Sequence, residues 1–310
     1  MKILVPAELE LTLDLPDGVE AVEYDPFRPL SSADYDAEAI VTWLASAEWM
    51  DENFPHLTEL KFVQSCMAGP DRVLNSALRT DVAVCSGRGL HDRTVAEHAT
   101  ALLLSLVRRM QLLMERQEAH IWNQEGYEAP VLRPDGQLMS IIDANVLIWG
   151  FGSIGGTLAP ILTTLGAKVT GVARSDGERH GYPVTSDIRA ALPNTDVLIM
   201  ILPASEETTK ALDAELLELL PAHAMLVNVG RGVTIDEDAL VEALTAGKLA
   251  GAALDVAATE PLPAESPLWD APGVIITPHV AGNRPLGAAD LVARNVRHLL
   301  AGEPLENRVR

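Results

Sequence analysis

The sequence predicts an α/β protein organised on a doubly wound parallel sheet, and three observations carry that prediction. Short, nearly continuous apolar runs alternate with helix-like stretches along most of the 310 residues. Six such runs follow one another in the second half. The first of them passes abruptly into the glycine turn Gly150-Phe151-Gly152-Ser153-Ile154-Gly155. In a strand–turn–helix of this kind the first glycine permits the sharp turn and the second lets the backbone approach a pyrophosphate. The third lets the new helix lie close against the sheet. That helix start also presents unpaired N–H groups to an anion.

The first ninety residues hold five short β-like runs, at 2–6, 21–24, 39–44, 61–64 and 82–85, which read as a smaller parallel sheet with helices on its faces. Between the last two lies Ser65-Cys66-Met67-Ala68-Gly69-Pro70. It reads either as a loop whose N–H groups face a ligand or as an ordinary turn into a helix over 71–78. From Thr94 a single long helix is expected, with Ala99, Leu102, Leu103, Leu106, Met110, Leu113, Met114 and Gln117 on one side. A helix of that length bridges domains or packs on a second subunit. His98 and His120 read as structural or solvent-facing, and His91 as a residue that could face a cleft. After a polar link at 130–136 come strands at 146–149, 168–173, 197–202, 225–229, 252–256 and 274–277, with helices at 207–220 and 236–246 among their covers.

Composition narrows the chemistry. With 23 Lys and Arg against 44 Asp and Glu, the net charge is −21. Nucleic acid and anionic membranes are therefore disfavoured as partners. Cys66 and Cys85, the two cysteines, stand far apart and suggest neither a disulfide framework nor a metal site. No apolar run has the length of a signal or a membrane span, so a cytoplasmic protein is expected.

Ligands of open parallel sheets bind beyond the carboxyl ends of the strands, where the strand order reverses. After the strands of the second array come the glycine turn, Arg174-Ser175, Pro203, Gly230-Arg231, Asp255 and Pro278-His279. One sheet edge thus collects a phosphate cradle, two arginines, an acid and a histidine, which favours a redox site. Four motifs in this order make the chain resemble the D-isomer-specific 2-hydroxyacid dehydrogenases: Gly150 to Gly155; Asn228-Val229-Gly230-Arg231-Gly232; Gly251-Ala252-Ala253-Leu254-Asp255-Val256, leading to Glu260-Pro261-Leu262-Pro263; and Thr277-Pro278-His279-Val280-Ala281-Gly282.

The resemblance implies a Rossmann-type domain at 93–282 inserted into a smaller flavodoxin-like substrate domain made of 1–92 and 283–310. Closure between the two would bring Ala68 and Gly69, near the substrate carboxylate, toward Arg231 and His279. It implies catalysis by Arg231, Glu260 and His279. Reducing a 2-oxo acid needs a hydride on carbon and a proton on the carbonyl oxygen, and histidine is the side chain suited to move that proton near neutral pH. Glu260 on the other ring nitrogen would fix the tautomer. Arg231 offers a planar fork for a carboxylate, which Lys lacks.

For the cofactor the resemblance implies contacts from Gly150, Gly152, Ser153, Ile154, Gly155, Arg174, Ser175, Leu202, Pro203, Thr208, Val229 and Gly230, with Asp255 on the nicotinamide carboxamide. Many relatives carry an acid at the end of the second strand, where this chain reads Ala173-Arg174-Ser175. An Asp there repels a 2'-phosphate and an Arg attracts one, so NADP(H) is expected over NAD(H). The substrate is expected to be a small glyoxylate- or hydroxypyruvate-like acid and the protein a homodimer. A larger or phosphorylated acid, or a non-catalytic dinucleotide sensor on the same fold, are the alternatives.

Overall fold

The computed structural model describes residues 1–125, 127, 131–133 and 136–310; of the link expected at 130–136, positions 130, 134 and 135 lie outside them. The chain divides into two compact units, Met1–His91 with Arg284–Arg310, and Asp92–Asn283.

The first unit begins β1 (Lys2–Pro6), β2 (Glu20–Tyr24), β3 (Ala39–Thr42), α1 (Ala47–Asn53), β4 (Phe62–Ser65), α2 (Asp71–Leu74) and β5 (Ala83–Cys85). Its sheet is parallel, in the order β2-β1-β3-β4-β5, the flavodoxin-like arrangement. Successive side chains point to opposite faces of a strand, so Leu4 and Ile40 pack with Trp49, Met50 and Phe54 on one side, while Ile3, Val5 and Val41 serve the other. β3 stops at Thr42, earlier than the expected residue 44, and Leu44 beyond it takes a positive φ of 60°. α2 is one turn long where residues 71–78 read as helix. The Ser76 hydroxyl donates to the Val73 carbonyl and the Ala77 N–H to the Asp51 carboxylate, drawing the backbone out of the helical ladder.

The second unit opens with α3 (Asp92–Val107) and α4 (Met110–Glu118) in place of the expected single helix. Arg109, at φ 49°, lies left-handed between them. Apolar spacing continues unbroken across this point, so periodicity alone does not reveal the break. Val95, Ala96, Ala99, Leu102, Leu103 and Leu106 of α3 are buried, whereas α4 buries no residue and leaves Met110 and Met114 exposed.

Then come β6 (Asn145–Trp149), α5 (Ser153–Thr164), β7 (Lys168–Val172), β8 (Gly177–Arg179), β9 (Tyr182–Thr185), α6 (Ile188–Ala191), β10 (Val197–Met200), α7 (Ala214–Leu219), β11 (Met225–Asn228), α8 (Glu237–Thr245), β12 (Gly251–Leu254) and β13 (Val274–Ile276). The sheet order is β13-β12-β11-β10-β6-β7-β9-β8, parallel except for the β8–β9 hairpin. Strand order reverses between β6 and β10, which opens a crevice there. The six expected strands are all present. The hairpin is an addition, turning through His180 and Gly181, both at positive φ. The helix expected at 207–220 is confined to α7. Ahead of it the hydroxyls of Thr208 and Thr209 bond the carbonyls of Pro203 and Ser205, holding a loop instead. Finally α9 (Ala288–Ala301) returns the chain to the first unit, where Leu291, Val292 and Val296 cover the Ile3–Val41 face of the sheet. Among the described residues no helix is long and apolar enough to cross a membrane.

At the amino end of β10, Asp196 is 5% exposed and accepts from both terminal nitrogens of Arg133 at 2.6 Å, from the Asn145 N–H and from His223. Burial pushes its carboxyl up. The Arg133 hydrogen bonds, the Asn145 N–H and His223 together outweigh that and hold it below the usual carboxylate range. A depressed folded-state pKa contributes stability that is complete above the unfolded Asp value of about 3.9. That contribution is lost as pH falls through the lower folded value. Asp196→Asn should therefore cost about 2–3 kcal/mol near neutral pH and flatten the acid limb of the stability curve. Urea midpoints across pH test this, and identical curves would show that the pair adds nothing.

Candidate active site

The carboxyl edge of the eight-stranded sheet gathers the residues singled out from the sequence, apart from Ala68 and Gly69 of the first unit. After β6, Gly150 has φ 99°, and a side chain on it would meet the Ile201 carbonyl oxygen at 2.6 Å, so this position accepts only glycine. Gly155 sits against the Phe151 ring and Ile148, where a Cβ would come within 3.1 Å and 3.4 Å. Between them Gly152, which caps α5, faces open space. Ile154 packs on the core, and the Ser153 hydroxyl donates to Asp92 at 3.1 Å. Leu202, after β10, closes on Gly230, where a Cβ would lie 2.7 Å from its backbone N and O. Val229 is buried, its N–H on the Met200 carbonyl. Pro203 accepts from the Thr208 hydroxyl at 2.6 Å. The turn, the open approach at Gly152 and the free first N–H groups of α5 fit a dinucleotide pyrophosphate.

Beyond β7, Arg174 is 94% exposed and lies 3.6 Å from the Glu207 carboxylate. Ser175 accepts from Arg179 of the hairpin at 2.9 Å. Asp176, the next acid along the chain, is turned to the N–H and hydroxyl of Ser186, which hold its carboxyl below the usual range. Arg179 reaches this edge through the β8–β9 hairpin, which no apolar run marks. Its signal was the Arg179-His180-Gly181-Tyr182 stretch, whose His-Gly pair suits a two-residue hairpin turn.

After β11, Asn228 is fully buried; its side chain accepts from the Gly230 N–H and donates to the Arg231 carbonyl. That same carbonyl accepts from the Thr234 hydroxyl at 2.6 Å, and a guanidinium nitrogen of Arg231 donates to the Gly230 carbonyl at 2.8 Å. A Cβ on Gly232 would fall 1.9 Å from the Ala257 carbonyl carbon, so the Arg231 segment is pressed onto the loop that carries Glu260. After β13, His279 Nδ1 lies 2.7 Å from Glu260 Oε2, and Glu260 Oε1 accepts from the Ala257 N–H. Burial raises the Glu260 carboxyl, but the His279 hydrogen bond and charge, the Ala257 N–H and the nearby Arg231 hold it below its ordinary range.

Asp255 is 1% exposed. Its carboxylate accepts from the Thr277 hydroxyl at 2.6 Å and from the Val280 and Ala281 N–H groups, each at 3.0 Å. His98 stands 3.2 Å away, and nothing local in the sequence marks a histidine that reaches across from another helix. Ala68 and Gly69 follow β4 in the first unit, half-buried. That loop is tied by the Gly87 N–H on the Met67 carbonyl and the Met67 N–H on Ser65 Oγ. His91 is buried there, on the Cys66 carbonyl and stacked with Trp43.

Residues 100–281 match the model of the D-isomer specific 2-hydroxyacid dehydrogenase NAD-binding domain. Glyoxylate/hydroxypyruvate reductase A of Salmonella typhimurium is 41% identical over 169 residues, 53% of this chain and 54% of that protein, so this match spans about half of each. A D-isomer specific 2-hydroxyacid dehydrogenase family protein from Aeromonas salmonicida superposes with a TM-score of 0.85 at 31% identity, over 100% of this chain and 98% of that one. An NADPH-dependent glyoxylate/hydroxypyruvate reductase from Sinorhizobium meliloti, solved with NADP and sulfate, gives a TM-score of 0.81 at 27% identity, covering 99% and 98%. The chain belongs to the D-isomer specific 2-hydroxyacid dehydrogenases and is an NAD(P)-dependent oxidoreductase.

Proposed function

We propose that this protein reduces a small 2-oxo acid of the glyoxylate or hydroxypyruvate type to its D-2-hydroxy acid, with NADPH as preferred donor. The single observation that carries the reading is the His279–Glu260 contact at 2.7 Å beside Arg231, on the sheet edge that holds the glycine turn. The nicotinamide supplies the hydride when bound. Arg231 grips the substrate carboxylate and polarises the carbonyl. His279, its Nδ1 committed to Glu260, delivers a proton from Nε2 to the carbonyl oxygen. Glu260 fixes the ring's tautomer and orientation, staying ionised at neutral pH because its carboxyl is held low. We assign the substrate-binding role to residues 1–92 with 283–310, including Ala68 and Gly69, and dinucleotide binding to 93–282. The exposed Met110, Met114, Ile121 and Trp122 support a homodimer, and the two isolated free cysteines suit the cytoplasm.

NADPH preference rests on Arg174, Ser175 and Arg179 together, with Asp176, the acid that follows them, turned away to Ser186. Initial rates with glyoxylate, hydroxypyruvate, pyruvate and phenylpyruvate, run with both cofactors, test the whole reading. We expect kcat/KM for NADPH to exceed that for NADH about 10- to 100-fold, the worth of one or two charge-assisted hydrogen bonds. Arg174→Ala should erase most of that ratio. A preference for NADH would overturn the cofactor assignment, and inactivity with every acid would overturn the reaction.

A further inference from the structure

We infer that His98 is a positioning residue for His279, anchoring the 277–281 turn through Thr277 and Asp255; this rests on the reading of His279 as proton donor. The turn needs an anchor. His279 has a φ of 53°, left-handed for a bulky residue, and such a conformation persists only where its surroundings over-determine it. Asp255 grips the turn on both sides of the strained residue. Its carbonyl accepts from the His279 N–H at 2.8 Å, and its carboxylate accepts from the N–H groups of Val280 and Ala281 and from the Thr277 hydroxyl.

A carboxylate 1% exposed stays in place only while donors surround it. His98, projecting from α3, supplies the last of them. Its Nε2 lies 3.0 Å from Thr277 Oγ1 and 3.2 Å from Asp255 Oδ1. The donor count settles its state. Thr277 has one hydroxyl proton and gives it to the carboxylate, which can only accept, so Thr277 Oγ1 must accept from His98 and His98 must carry a proton on Nε2. A helix 179 residues distant in sequence is thereby joined to the turn that aims the His279 ring at Glu260. Asp255 acquires an inward-facing role in addition to the cofactor contact expected from its sequence motif.

The test compares His98→Ala and His98→Gln in the full chain, because a Gln amide nitrogen can stand where Nε2 stands. Hydrogen exchange of the amides in 277–282 reads the anchor without any chemistry. Turnover reads its consequence. In His98→Ala, exchange at Val280 and Ala281 should accelerate about tenfold or more, while the rest of 92–283 keeps its protection. kcat should fall about 10- to 100-fold, the cost of a misaimed group, with NADPH Kd and the oxo-acid KM within about twofold, since the pyrophosphate cradle at 150–155 and the carboxylate grip of Arg231 lie outside the turn. His98→Gln should recover most of both. Wild-type exchange and kcat in His98→Ala would overturn the inference. So would a Gln variant as impaired as the Ala one, or exchange that rises across the whole unit together with loss of NADPH binding. A wild-type chain inactive with every acid of the panel would overturn the proposed function instead, and the exchange measurement would still decide the anchor.

Discussion

His279→Ala is expected to lower kcat about 100- to 10,000-fold, the range that a positioned general acid contributes, while NADPH still binds with near wild-type affinity. The separation follows from geometry. The ring's polar contact within the protein is the 2.7 Å bond to Glu260, whereas the dinucleotide cradle we propose is built from backbone at 150–155 and from the chain after β7, β10 and β11. Removing the imidazole takes away the proton source and leaves the cradle intact. Fluorescence titration with NADPH and steady-state rates measure the two quantities separately. Turnover close to wild type across the pH range would remove His279 from the proton transfer, and parallel loss of NADPH binding would mean that it serves the cofactor instead.

The second large effect is expected at Arg231→Lys, a fall in kcat/KM for the oxo acid of about 100-fold, corresponding to loss of bidentate recognition. The charge survives this change, so the loss measures geometry. Arg231 leaves a backbone held by Asn228 and Thr234 on its carbonyl and by the close approach of Gly232 to Ala257, and its guanidinium is braced against the Gly230 carbonyl. A flexible lysine on the same rigid backbone has one compact charge and no planar fork. It can attract a carboxylate without orienting the carbonyl for hydride addition. The Arg231→Lys enzyme should therefore lose kcat as well as gain KM. An unchanged kcat/KM would mean that the substrate carboxylate is held elsewhere.

Much of the fold was legible in the chain because its signals are local. A buried parallel strand must be apolar along its length, so the six strands from β6 to β13 that form the frame of the larger sheet read directly as runs such as 146–149 and 197–200. The glycine turn was equally plain, and the collision awaiting a side chain at Gly150 is the reason. What failed to show in the chain depends on competition between local bonds. The break at Arg109 preserves apolar periodicity. The loop at 203–209 forms because hydroxyls outcompete helical hydrogen bonding, and β8, three exposed residues, carries no apolar pattern.

By itself, then, the sequence determined the α/β class, the succession of the main strands along the chain and the family, because steric demands on glycines and the need for apolar strands are written residue by residue. Only the tertiary structure decided which side chains meet. The His279–Glu260 contact spans 19 residues, Arg179 reaches Ser175 through a turn of the chain, and His98 finds Thr277 across 179 residues. Such distances are set by the packing of α3 and the loops on the sheet, and no spacing along the chain encodes them.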